Sequence, residues 1–160
     1  MAKEIERKFL VSGDYKKDAI GAEQIVQAYL SSAPERSVRV RIHGPQAFIT
    51  VKGAGNVSGN SRFEWEKEIP VEDARSLMAL CEPGKIEKIR YLVPAGRHVF
   101  EVDEFQGGNA GLVVAEVELQ SEDEEFEKPS WLGEEVTGQA SYYNVSLIKR
   151  PYREWDAPGP

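Results

Sequence analysis

The first residues of the chain that could do chemistry lie in "EIERKFLV", 4–11. Side chains alternate across an extended strand, so Glu4, Glu6 and Lys8 share one face, while Ile5 and Phe9 occupy the other with Arg7 between them. Two carboxylates aligned on one face repel each other, and folding alone does not require it. The same parity recurs along the chain. Arg39 and Arg41 share a face in "SVRVRI", and Lys52 stands with Phe48 and Thr50 in "AFITVK". Glu64, Glu66 and Glu68 align in "RFEWEKEI", and Lys88 with Arg90 in "IEKIRYLV". Glu101 pairs with Asp103 in "HVFEVDEF", and Glu116 with Glu118 in "LVVAEVEL".

A half-buried antiparallel strand normally turns polar residues to water, so any one of these rows is unremarkable. Taken together they are unusual, because charge is segregated by strand instead of being mixed or paired across strands. Two kinds of ligand would relieve the repulsion. Hard divalent cations such as Mg²⁺ or Mn²⁺ take oxygen ligands, which carboxylates from several strands supply. Arginine and lysine clusters neutralise a phosphate chain through charge-assisted hydrogen bonds. A metal that bridges a polyphosphate needs both sets, which gives Glu4 and Glu6 a reason to be aligned.

The elements that must position these rows are mostly strands. Alternation and β-branched or aromatic residues mark 4–11, 37–42, 47–52, 62–69, 86–93, 98–105 and 112–119, with a weaker candidate at 25–30. "HGPQ", "GAGNVSGNS", "PAGR" and "QGGNAG" separate them as turns. Helices are expected at 71–81 after Pro70, at 121–128 with a Ser121/Glu124 capping box, and at 138–150 before Pro151. The expectation is one α+β, mainly β, domain over 1–150 with an unstructured tail at 151–160. If the apolar faces pack on each other the charges lie outside; if about eight strands close with the charges inward, the lumen is polar. Periodicity does not choose between the two.

Composition narrows the function. A net charge of −7 argues against a nonspecific grip on nucleic acid. A single cysteine, Cys81, and two isolated histidines, His43 and His98, leave no disulfide framework or zinc site. No apolar run approaches the roughly 20 residues of a membrane helix, and the charged N-terminus does not read as a signal peptide. Neither a nucleic-acid nor a membrane partner is expected, and the expected location is the cytoplasm.

"EIERKFL" at the start, followed in order by "VRVRI", "TVKG", "RFEWEKEI", "EKIRY", "FEVDEF", "VAEVEL" and "WLGEEVTG…YYN", resembles the CYTH superfamily of triphosphate tunnel metalloenzymes over nearly the whole chain. The resemblance implies a closed eight-stranded antiparallel tunnel barrel with a few covering helices. It implies Glu4, Glu6, Asp103, Glu116 and Glu118 as carboxylates for Mg²⁺ or Mn²⁺, with Glu64, Glu66 and Glu101 as further acidic lining. Lys8, Arg39, Arg41, Lys52, Lys88 and Arg90 would bind the triphosphate, with Lys88 orienting or deprotonating the attacking water. Family members hydrolyse inorganic tripolyphosphate, thiamine triphosphate or RNA 5′-triphosphates, and some cyclise ATP.

The first expectation is therefore a metal-dependent triphosphatase acting on tripolyphosphate, with Lys88, Glu4 and Glu6 as its catalytic groups and a small triphosphate as its partner. An adenylyl cyclase of the class IV type, a thiamine triphosphatase and a non-catalytic polyphosphate or nucleotide sensor are the competing readings. The rest of the chain reads as scaffold. Tyr142 is expected to pack, Cys81 to lie in the core and "SEDEEFE" to be a solvated helix face. "GAGNVSGNS" lacks P-loop spacing and reads as a hairpin loop or lid, and His43 and His98 are expected at the surface or at strand ends.

Overall fold

The computed structural model describes residues 5–55 and 62–155. Glu4, most of the glycine-rich loop and the last five residues of the tail lie outside them. Nine strands and two α-helices appear in the order β1 (Ile5–Val11), β2 (Gly21–Ser31), β3 (Arg36–His43), β4 (Gln46–Gly55), β5 (Arg62–Ile69), α1 (Val71–Met78), β6 (Ile86–Ala95), β7 (His98–Phe105), β8 (Val113–Leu119), β9 (Leu132–Glu135) and α2 (Asn144–Lys149). The mainly β, antiparallel class is as expected, but among the described residues the strands number nine, and their order ends at β5 and β9 without a closing pair. The extra strand, "LGEE", has no β-branched or aromatic residue and so no alternation to reveal it. Pairing with β1 makes it a strand, through Phe9 opposite Glu135 and Val11 opposite Leu132.

The chain divides into two compact units, residues 1–23 with 88–160, and residues 24–87. In the first, β8 pairs with β7 and β1, and β7 pairs with β6. One set of parities builds its core: Phe9, Val93, Phe100, Val102, Ala115, Val117 and Leu119 pack with Tyr15 and Trp131. Trp131 stands edge-on to Phe100 at 5.3 Å between centroids, and Tyr15 edge-on to Tyr91 at 5.5 Å, a favoured aromatic geometry. Between β6 and β7 the chain reverses in two residues, and Gly96 takes φ +62° at the first of them, where a side chain would be strained. Arg7 lies on this apolar side without being left unpaired. Its guanidinium rests 5.1 Å from the Phe126 centroid and donates to Glu135 Oε2 at 2.8 Å.

In the second unit β3 pairs with β2 and β4, and β4 with β5. Its apolar side is capped by α1, whose Ala74 packs with Val40 and Ala47, flanked by Leu77, Met78 and Cys81. Cys81, expected in the core, lies partly buried against its edge, and the helix is shorter than its apolar pattern. After Met78 the backbone tightens into i→i+3 bonds, Leu80 N to Leu77 O and Cys81 N to Met78 O.

Two other helices differ from expectation. The 121–128 segment is a turn followed by extended chain. Glu124 does not cap Ser121; its carboxylate instead accepts from Gln120 N and pairs with His98 Nε2 at 2.6 Å. Phe126 leaves the segment to pack on Phe9 and Phe100, and four more acidic side chains nearby would repel along a helix. His98, the first residue of β7, sits at a strand end as expected, and is paired there and mostly covered. The 138–150 helix shortens to a 3₁₀ turn at Ala140–Tyr142 and then α2. Of the tail expected to be unstructured, Tyr152–Glu154 form a 3₁₀ turn and Trp155 stacks edge-on against Tyr142 and Tyr152, each at 5.1 Å.

β9 depends on close approach. A Cβ on Gly133 would stand 2.9 Å from the Leu10 carbonyl oxygen, a backbone atom that cannot swing aside. Gly133→Ala is expected to destabilise the protein by about 1–3 kcal/mol, the usual range for overpacking, as a lower midpoint in urea. An unchanged midpoint would mean β9 is not held at this distance.

Candidate functional site

The face of the first unit opposite its core carries the charged rows. Cross-strand register sets Glu6 opposite Glu118, Lys8 opposite Glu116, Glu101 opposite Glu116 and Arg90 opposite Asp103. Like charges directly opposite one another are unfavourable in a sheet, and two of these four pairings are carboxylate on carboxylate. The carboxylates open onto a pocket of about 420 Å³ lined by Glu6, Leu92, Val99, Glu101, Glu116 and Glu118. Its polar lining is all carboxylate oxygen, the donor chemistry that hard divalent ions take. Among the described residues no three acidic side chains are gathered closely enough to grip an ion as they stand. Glu4 falls outside the described residues.

Beside the pocket the same face is buried. Lys88 is 2% exposed, and its ammonium lies 2.7 Å from Asp103 Oδ2. Arg90 donates to the same carboxylate as a fork, Nε to Oδ1 at 2.8 Å and Nη2 to Oδ2 at 3.0 Å, with Nη1 3.5 Å from Glu101. Burial alone would raise the Asp103 carboxyl, but the Lys88 ammonium and the Arg90 guanidinium outweigh it and hold the group well below its ordinary range. For Arg90 the balance is the same in mirror image: burial pulls it down, and the bonds to Asp103 carry it above its usual value. Two cations thus share one buried carboxylate, with the more exposed Glu101 beside Arg90. Lys8 is a third cation on this face. Burial lowers its pKa against the opposing pull of Glu6 and Asp103, with Arg90 acting in the same direction as burial.

The second unit carries its own charged face. Arg39 stands opposite Thr50, Lys52 opposite Glu64 and Thr50 opposite Glu66. Thr50 donates to Glu66 at 2.9 Å, Arg41 Nε donates to Gln27 at 3.0 Å, and Lys52 lies 3.9 Å from Glu64. Gln27 is fully buried. Its Nε2, like Arg39 Nε, is a buried donor with no hydrogen-bond partner among the described residues. A buried donor left unsatisfied costs about 1–3 kcal/mol, a cost that an acceptor oxygen from outside the chain would relieve. Glu64 and Glu66 lie along the exposed β5, beside Phe63 and Trp65, which are 64% and 46% exposed.

Comparison with known proteins now carries the assignment further. The CYTH domain profile matches residues 2–152. The chain belongs to the CYTH family. It is 46% identical over 156 residues to an inorganic triphosphatase of Acetivibrio thermocellus, covering 97% of this chain and 99% of that one. A second inorganic triphosphatase, from Nitrosomonas europaea, is 38% identical over 149 residues, 90% of this chain and 95% of the relative. A crystal structure of an inorganic triphosphatase superposes with a TM-score of 0.74 at 34% identity, over 92% of this chain and 95% of the other.

The CYTH chain thus brings Glu6, Lys8, Lys88, Arg90, Glu101, Asp103, Glu116 and Glu118 onto one face of its first unit, and Arg39, Arg41, Lys52, Glu64 and Glu66 onto one face of its second. Sequence reasoning passed over Gln27. The signal was present, because a lone glutamine inside the apolar run "IVQAYL" must find hydrogen bonds when the strand is buried. Tyr143 was also passed over, its neighbour Tyr142 having drawn the attention.

Removing the charge of Asp103 takes from Lys88 and Arg90 the buried carboxylate they share. Asp103→Asn is expected to lower stability by about 3–5 kcal/mol at neutral pH. The carboxylate's folded pKa lies below its ordinary 3.8, so its contribution is complete above that pH and is lost on acidification below it. Urea unfolding of both forms from pH 7 downward should therefore converge in acid; curves that stay parallel throughout would contradict the ion cluster.

Proposed function

We propose that this CYTH protein is a divalent-metal-dependent triphosphatase that hydrolyses inorganic tripolyphosphate to phosphate and pyrophosphate. The observation that carries the reading is the buried cluster in which Lys88 and Arg90 share Asp103, set next to the carboxylate pocket. One set attracts phosphate and the other a metal. The two relatives named inorganic triphosphatase support the same substrate class.

In this reading Lys8, Lys88 and Arg90 bind phosphate oxygens in the first unit, and Arg39, Arg41 and Lys52 do so in the second. Glu6, Glu116 and Glu118 would hold Mg²⁺ or Mn²⁺ together with Glu4, and Glu101 is further lining. A divalent ion bound there neutralises phosphate oxygens and lowers the pKa of a water. Asp103, with both oxygens engaged, is assigned to fixing Lys88 and Arg90 in place. An ammonium paired at 2.7 Å is a hydrogen-bond donor, so Lys88 is assigned to orienting the water and steadying charge on the transferred phosphoryl group, where positioning and charge stabilisation supply most of the catalysis. Water attacks a terminal phosphorus, the P–O–P bridge breaks, and the water's protons pass to the product phosphates and solvent.

Phosphate release measured over tripolyphosphate, ATP and thiamine triphosphate, with each metal in turn, tests the assignment. Tripolyphosphate should turn over fastest, activity should vanish with a chelator, and Mg²⁺ or Mn²⁺ should restore it. Cyclic AMP and pyrophosphate from ATP would identify a cyclase instead, and binding of tripolyphosphate without phosphate release would identify a sensor. Glu118→Gln should abolish turnover with the fold intact, and Arg39→Ala should weaken binding and slow hydrolysis together. Unchanged kinetics in both would remove the site.

A further inference from the structure

Lys8 is held in an unusual way. Its backbone N–H donates to Thr137 Oγ1 at 2.8 Å, and its carbonyl accepts from Val136 N at 2.8 Å. The same stretch of chain then returns to its side chain, placing the Lys8 ammonium 5.3 Å from the centroid of the Tyr143 ring. Tyr143 does not hang there by chance. It caps α2, its N–H donates to Ala140 O at 3.0 Å, and its carbonyl accepts from Leu147 N at 2.9 Å on a helix whose Leu147 is fully buried. Neighbouring Tyr142 does something else, stacking on Trp155. The Tyr143 ring is 42% exposed, more than packing alone would leave on an aromatic residue anchored so firmly.

We propose that Tyr143 is a positioning residue for Lys8: the face of its ring holds the ammonium in the orientation that meets a phosphate oxygen. A cation is drawn to the negative face of an aromatic ring, more strongly where water is partly excluded. Glu6 and Asp103 attract the same ammonium and Arg90 repels it, so without the ring Lys8 folds toward the carboxylates, where it would neutralise metal-binding oxygen instead of substrate. The ring offers a third partner that gives Lys8 up without competing for phosphate or metal. This rests on the assignment of Lys8 to phosphate binding made above.

The test compares the full-length protein with Tyr143→Leu, which keeps apolar bulk without a ring, and Tyr143→Phe, which keeps the ring without its hydroxyl. In Tyr143→Leu the KM for tripolyphosphate should rise about threefold to thirtyfold with kcat unchanged, and Tyr143→Phe should match the parent. NMR of the Lys8 ε-methylene protons gives a readout independent of turnover: a ring-current shift in the parent and in Tyr143→Phe, absent in Tyr143→Leu. Lys8 resonances identical in parent and Tyr143→Leu overturn the proposal, as does Tyr143→Phe behaving like Tyr143→Leu. A rise in KM for ATP alone also overturns it, since the ring would then be touching a base. If the ring-current pattern appears as expected but the parent does not hydrolyse tripolyphosphate, Tyr143 still positions Lys8 and it is the proposed function that falls.

Discussion

An ammonium group cannot be buried alone, and the charged face of the first unit is arranged around that constraint. Lys88 is held by Asp103, and Asp103 is held in turn by the planar fork of Arg90. The geometry works only because β6 and β7 pair in a register that sets Arg90 directly opposite Asp103. A slip of β6 by one residue would carry Lys88 and Arg90 to the other face, away from Asp103 and into the packing of Phe100 and Trp131. The apolar core on one side therefore enforces the electrostatics on the other: Val93, Phe100 and Val102 fix the parity that brings the charges together.

From that arrangement the rest of the face follows. Asp103 serves two cations, and the proposal gives the metal to Glu6, Glu116 and Glu118 along the neighbouring strands. Glu101 lies beside Arg90, and Lys8 brings a third cation to the face. The second unit solves its version of the problem with neutral partners. Gln27 accepts from Arg41, and Thr50 donates to Glu66, while Gln27 Nε2 and Arg39 Nε keep donors in reserve. In the second unit those two buried donors lack an acceptor that an anion would supply.

Much of this was legible in the sequence because period-two alternation is a property of the strand itself. Glu6 with Lys8, Lys88 with Arg90, Glu101 with Asp103, and Glu116 with Glu118 share faces as the alternation requires, and Phe9 and Phe100 are buried on the other side. Contacts made across the chain were not legible. β9 exists because "LGEE" finds β1, not because of its own propensities. Glu124 reads as a capping residue until His98 and Gln120 claim its carboxylate. Asp103 falls on the charged face as the alternation requires, but its pairing with Lys88 and Arg90 was not readable, since alternation assigns a face but not a partner. Tyr143 was invisible for the same reason, because nothing in "SYYN" shows which of two adjacent rings turns toward a lysine more than 130 residues earlier.

The central claim is that the acidic and basic rows form a working metal–phosphate site on the face opposite the core. Anomalous diffraction from crystals grown with Mn²⁺ and a non-hydrolysable triphosphate tests it most directly. The account places the manganese peak among Glu6, Glu116 and Glu118, with phosphate oxygens on Lys8, Lys88 and Arg90. A manganese ion bound elsewhere, or a triphosphate that touches none of those three cations, would contradict it.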